Sequence, residues 1–202
     1  MTLYKKLKII EFLKKEGLPV VSTKFLKKLT GLTNQQTLAS CLESLVKYDI
    51  LEKGEKGKYL VKNNLGNDFL VANLLYEPSY ISLETALNLY GILSQFPIEI
   101  SSITTKRKKS KNVGGKLYTY YQINPKYFWG FEKKENALLA LPEKALLDSL
   151  YLASKGVKEI SIEDLDLSKI NKTVFVNFAK NFPQTKVSKN LFKKVLEKKA
   201  SS

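Results

Sequence analysis

Apolar side chains return every three or four positions at the start of the chain. Leu3, Leu7, Ile10 and Leu13 share a helical face with Ile9 and Phe12 alongside, which predicts a first helix over 3–15. Gly17 and Pro19 end it. Val20 and Val21 suit a short β-bridge, and Ser22 is a good N-cap for a second helix that buries Phe25, Leu26 and Leu29. Gly31 makes a turn. Thr33 then caps a third helix to about Tyr48, with Leu38, Leu42 and Leu45 on one side and Cys41 and Val46 flanking. Ile50 to Lys53 and Lys58 to Val61 read as strands joined by Gly54-Glu55-Lys56-Gly57, which has the turn chemistry of a hairpin.

Residues 22–61 therefore have the outline of a winged helix-turn-helix, a module that sets one helix into the DNA major groove. Asn63, Asn64, Gly66 and Asn67 look like a joint, which places the domain boundary between 1–64 and 65–202. A helix is expected from Asp68 to Leu75. Pro78 and Ser79 break the chain, and Ser82 caps a helix through Tyr90 that Gly91 stops. Ile98 to Thr105, Lys116 to Ile123 and Tyr127 to Phe131 are β-rich, and Leu138 to Leu141 suits a further short strand. Pro142 opens a helix at its first turn and Leu146, Leu147 and Leu150 fill its buried side. The tail, 162–199, reads as two or three helices separated near Pro183, and the chain has no internal repeat. The expected class is α+β: a winged helix-turn-helix, then a mixed α/β C-terminal domain ending in helices.

Composition narrows the chemistry. The 202 residues hold no His and one Cys, which removes Ser-His and Cys-His nucleophilic pairs, the common zinc sets and an intramolecular disulfide. Carboxylates remain available for a hard cation. Apolar runs are too short to span a bilayer, and the N-terminus lacks the uninterrupted apolar block of a signal peptide, so a cytoplasmic protein with no membrane partner is expected. The net charge of +15 suits a polyphosphate partner, because cations on phosphates release counterions. Of the 34 basic residues only Arg107 is Arg, a composition that an AT-rich genome also produces, so placement carries more than total charge.

At about 100° per residue, Gln36, Ser40, Glu43 and Lys47 fall on the side of the third helix opposite its leucines. Thr33, Asn34 and Gln35 add polar groups at its first turn. An amide such as Gln36 can bond adenine N6 and N7 together, and small Ser40 allows close approach to the groove. Lys47 and the wing residues Lys53, Lys56 and Lys58 suit phosphate. Glu43 on that face would repel phosphate or accept from cytosine N4. The alternative is a solvated helix face; the ordered helix, turn and Lys-bearing hairpin favour DNA.

A second basic run, Lys106, Arg107, Lys108, Lys109 and Lys111, reads as a long hairpin tip closed by Gly114 and Gly115. It is a candidate for DNA phosphates or an acidic partner, against the alternative of a mobile solvated loop. Tyr118, Tyr120, Tyr121, Tyr127, Phe128, Trp129 and Phe131 are read as core and cross-strand pairs before base stacking. Glu132 with Lys134 faintly echoes half of a nuclease metal site, with Glu99 the nearest second acid. Glu143 and Asp148 lie five apart on one helix, too far round to act as a dyad; with Lys144 they read as solvated charges. No catalytic site, cofactor or metal is expected.

Two segments carry a resemblance. Tyr80-Ile81-Ser82-Leu83-Glu84-Thr85-Ala86-Leu87-Asn88-Leu89-Tyr90-Gly91 and Leu141-Pro142-Glu143-Lys144-Ala145-Leu146-Leu147-Asp148, in this order behind a winged head, resemble the motifs of the AbiEi antitoxin family over roughly residues 5–155. Many members have His where Tyr90 stands and Thr where Leu141 stands, and the tail matches none of the family's motifs. The resemblance implies a type IV toxin–antitoxin system. The N-terminal domain would repress its own operon at promoter inverted repeats, and the C-terminal region would counteract a nucleotidyltransferase toxin, a functional pairing that does not require direct contact. The alternatives are a winged-helix transcription regulator whose C-terminal domain senses a ligand or oligomerises, and a nuclease with a DNA-binding head. The two motif segments themselves are expected to hold the C-terminal fold together.

Overall fold

The computed structural model describes residues 3–200 except Thr33, Asn63 and Leu65, with side chains of the first helix described for Leu7 and from Ile9 onward. The expectation that Thr33 caps the third helix thus falls outside the described residues. The head runs α1 (Leu3–Glu16), β1 (Val20–Ser22), α2 (Thr23–Thr30), α3 (Gln35–Lys47), β2 (Leu51–Lys53) and β3 (Lys58–Val61). Ser22 caps α2 by accepting from the Phe25 N–H at 3.1 Å, and Gly31 ends it in the left-handed region, which a glycine enters without Cβ strain. The three strands pair antiparallel in the order β1-β3-β2. Ile9, Leu13, Leu26, Leu38, Cys41, Leu42, Leu45 and Leu51 close one core. In α1 the buried stripe passes through Ile9 and Leu13, and Leu7, expected on that stripe, is 48% exposed.

Beyond the head come α4 (Asp68–Leu75), β4 (Ser79–Ile81), α5 (Leu83–Leu89), β5 (Ile100–Thr104), β6 (Lys109–Val113), β7 (Lys116–Gln122), β8 (Phe131–Lys134), β9 (Ala137–Ala140) and α6 (Pro142–Ser154). Two 3-10 turns, α7 (Lys172–Ala179) and α8 (Lys186–Ala200) complete the chain. The class is α+β. The six strands form one mixed sheet, ordered β6-β7-β5-β4-β9-β8. β5 runs parallel to β7 and β4 parallel to β9; the other neighbours are antiparallel. α4 lies against β4, β5 and β9, and α6 against α5, α7 and α8. A second buried cluster fills this part, and the head contributes Val20 and Leu60 to it.

Two strand expectations need correction. Residues 127–131 are mostly not a strand: Pro125–Tyr127 is a 3-10 turn capped by Asn124, and the strand starts only at Phe131. The basic run is not a hairpin tip either. Lys109 and Lys111 belong to edge strand β6, and the tip between β6 and β7 is Gly114-Gly115, both at positive φ. Lysines on an edge strand keep its unpaired backbone from recruiting another strand.

The largest correction lies in α6. Glu143, Lys144 and Asp148 read as solvated charges, yet Lys144 and Asp148 are 0% exposed and Glu143 is buried. The Lys144 ammonium contacts Asp148 Oδ1 and donates to the Tyr80 hydroxyl at 2.6 Å. Tyr80 and Ser82 donate to Asp148 Oδ2 at 2.9 and 2.8 Å. Ser82 starts α5 without a side-chain cap bond because its hydroxyl is spent on this carboxylate. Burial pushes the Lys144 ammonium down and the Asp148 carboxyl up, and each opposes the shift of the other. Glu143 accepts from the Asn171 N–H at 2.8 Å, where α7 begins. The two motif segments are thus tied together through one ionic cluster. Tyr90 adds a tie by donating to the Ala140 carbonyl at 2.9 Å; burial, with Glu132 and Glu143 nearby, pushes its hydroxyl up to about 12.

Candidate nucleic-acid interface

Helix α3 is positioned by its leucines and by its cap. Asn34 Oδ1 accepts from the Gln36 and Thr37 N–H groups at 2.9 and 3.2 Å, so the Asn34 side chain is spent on the helix start. Leu38, Cys41, Leu42 and Leu45 are buried. Gln35, Gln36, Ser40, Glu43 and Lys47 are all exposed. From Gln36 to Lys47 this face runs about 16 Å, at roughly 1.5 Å per residue. It offers one amide, one hydroxyl and one ammonium in a row, with Glu43 between them.

The hairpin behind α3 is not free on both sides. The Lys109 ammonium binds Glu55 Oε1 at 2.6 Å, and Glu52 Oε1 accepts from the Gly114 N–H at 3.1 Å. Gly54 is buried so closely that a Cβ there would stand 2.7 Å from Leu75 Cδ2. Burial works to raise the Glu55 carboxyl, but hydrogen bonds from Lys109 and the Lys56 backbone, and the charges of Lys109 and Lys111, hold it below its ordinary value. One side of the hairpin is therefore latched to β6 and α4.

Of the wing lysines, Lys53 and Lys56 are exposed. Lys58 is half-buried and does not join them: its ammonium binds the Leu74 carbonyl and Glu77 Oε2, the latter at 2.5 Å. In the second basic run, Lys106 and Lys109 stand over the Tyr76 ring at 5.5 and 5.4 Å, and Lys108 over Tyr121 at 4.8 Å. Tyr76 also donates to the Arg107 carbonyl at 3.2 Å. The self-repulsion of the run is thus relieved by ring faces and by Glu55. Lys106, Arg107 and Lys108 remain exposed, and Lys111 is half-buried. The latch brings this run beside the wing, a juxtaposition that no local sequence signal carries.

The first part of the aromatic stretch is core: Tyr118, Tyr120 and Tyr121 are buried, whereas Tyr127, Phe128, Trp129 and Phe131 are half-buried, Phe131 stacking on Tyr80 with centroids 4.6 Å apart. Glu132 lies on β8 and Glu99 just before β5, three strand positions away, or about 14 Å at the usual inter-strand spacing. Glu99 is engaged with Tyr121 at 2.8 Å and Lys158 at 3.1 Å. The two acids are not placed to share one ion.

The fold is similar to a crystal structure of the RV2827C protein from Mycobacterium tuberculosis. The TM-score is 0.66 at 14% identity, covering 98% of this chain and 78% of that one. At that identity the likeness is one of fold. No protein-family model matches the chain, and no curated protein matches it in sequence. Among the described residues no helix is long and apolar enough to cross a membrane.

Proposed function

We propose that this protein binds double-stranded DNA through α3 and acts as the autorepressing antitoxin of a type IV toxin–antitoxin system. The observation that carries the DNA reading is the exposed row Gln36, Ser40 and Lys47 on a helix whose opposite side is locked into the head core. Gln36 is the group for base edges; Lys47, Lys53 and Lys56 serve phosphates. Lys58 is held by Glu77 and contributes to docking the hairpin instead. Lys106, Arg107, Lys108 and Lys111, held beside the wing by the Lys109–Glu55 pair, would extend the phosphate contacts beyond the head. Asn34 acts through the helix it caps.

The antitoxin half rests on the two motif segments. Their meeting in one buried cluster supports a structural role for them, leaving the surface of the C-terminal domain for the effect on a nucleotidyltransferase toxin. A mobility-shift assay with the upstream DNA of its own gene tests the repressor half. A saturable, sequence-specific shift supports it; binding no tighter than to random duplex refutes it. Co-expression with the neighbouring gene tests the other half, and toxicity that this protein fails to relieve refutes that half alone.

A further inference from the structure

We propose that the cleft between the 125–129 turn and the corner joining α7 to α8 is a nucleotide-binding site, with the base against an aromatic wall and the phosphate between two lysines. The cleft has a volume of about 620 Å³, within the size range of small-molecule pockets. The half-buried Tyr127 and Trp129 line it, with the buried Phe182 behind them, and Lys126 and Lys180 line it as well. None of its lining residues is acidic.

The wall is rigid. Tyr127 stacks on Phe182 with centroids 5.2 Å apart and planes 13° apart, and Trp129 meets Phe178 edge-on at 5.0 Å. From beneath, the buried Lys144 ammonium lies 5.4 Å from the Trp129 ring and 5.2 Å from Phe182. Gly130, at φ +75°, lets the backbone close over the Lys144 stem; a Cβ there would stand 3.0 Å from its Cγ. The Lys144–Asp148 cluster thus fixes the wall before any guest arrives, which lowers the ordering cost of binding. Trp129 is only half-buried, and the ring surface it keeps lines the cleft.

Bonding capacity around the cleft is unspent. Lys126 and Lys180 are exposed, and neither forms an ion pair among the described residues. Lys180 donates only to Asn177 Oδ1, at 3.2 Å. Gln184 Nε2 donates to the Ala179 and Phe182 carbonyls at 2.8 and 3.0 Å. That fixes the amide and leaves its oxygen to accept from a guest. Two cations without an acid attract an anion; a ring surface and an oriented amide oxygen suit a planar heterocycle with N–H groups. A nucleoside phosphate combines both. The cleft rimmed by Phe96 and Ile98 differs in this respect: its one cation, Lys158, is already bound to Glu84, Glu99 and Tyr121.

Trp129 is the only Trp of the chain, so its fluorescence reports this cleft directly. Titration of the full chain with ATP is expected to give a saturable change that inorganic triphosphate does not reproduce. Lys126→Glu with Lys180→Glu, both at exposed positions, is expected to weaken ATP by about tenfold or more, as loss of charged hydrogen bonds does. A titration with no saturable change, an equal response to inorganic triphosphate, or unchanged affinity in the double variant overturns the proposal. None of these outcomes bears on α3, so the DNA reading stands or falls separately.

Discussion

Without the carboxylate of Asp148, the Lys144 ammonium would sit in a site no water reaches, with only the Tyr80 hydroxyl beside it. Asp148→Ala is therefore expected to cost about 3–5 kcal/mol in urea unfolding, the usual consequence of removing one partner of a buried pair. Lys144→Met combined with Asp148→Leu removes both charges and should recover most of that loss. A single variant as stable as the parent would show that the pair carries no such role. This cluster was not directly legible, since charges on a helix are normally solvated. One signal was available: Lys144 and Asp148 stand four apart in a helix whose other positions, from Ala145 to Leu150, are almost all apolar or small. A charged pair at that spacing in an all-round apolar helix has few places to go except inward.

Among the elements, the head was the most legible. The Ser22 cap placed α2 and the spacing of the leucines placed α3, because both signals are local; the cap of α3 itself is Asn34, not the expected Thr33. The order β6-β7-β5 was not legible, for two physical reasons. β6 is an edge strand whose alternation runs through Lys109 and Lys111, so it lacks an apolar period. The parallel pairing of β5 with β7 skips over β6, so no hairpin turn announces it. The latch between wing and sheet shares that non-local origin. Glu55→Gln removes its charge and should weaken it by about 0.2–1 kcal/mol, the usual worth of a partly exposed ion pair. Because the Glu55 carboxyl is held below its ordinary value, the latch is fully present at neutral pH and is lost only as pH falls through that lowered value. Hydrogen exchange across residues 51–61 measures it. Lower protection, taken against the free-peptide rate at the same pH, is expected in the variant at neutral pH, and in the parent only under acid.

For the molecule as a whole, charge bears on the proposed DNA partner. Residues 1–62 hold 13 Lys against 6 acidic residues, so the head carries +7 of the total +15 and the rest lies in the C-terminal part. If that charge meets phosphates, affinity falls with salt by roughly 0.9 log units per log unit of salt for each phosphate contacted. The most direct test compares the parent with Gln36→Ala plus Lys47→Ala, titrated over a range of salt onto a duplex of the DNA upstream of the gene. Both side chains are exposed, so the fold should be kept. Specific binding is expected to weaken by about 1–3 kcal/mol through the lost base contact, with a further loss from Lys47. The salt slope is expected to drop by about one phosphate's share. Unchanged affinity and an unchanged slope would contradict the reading of α3 as the element that recognises DNA.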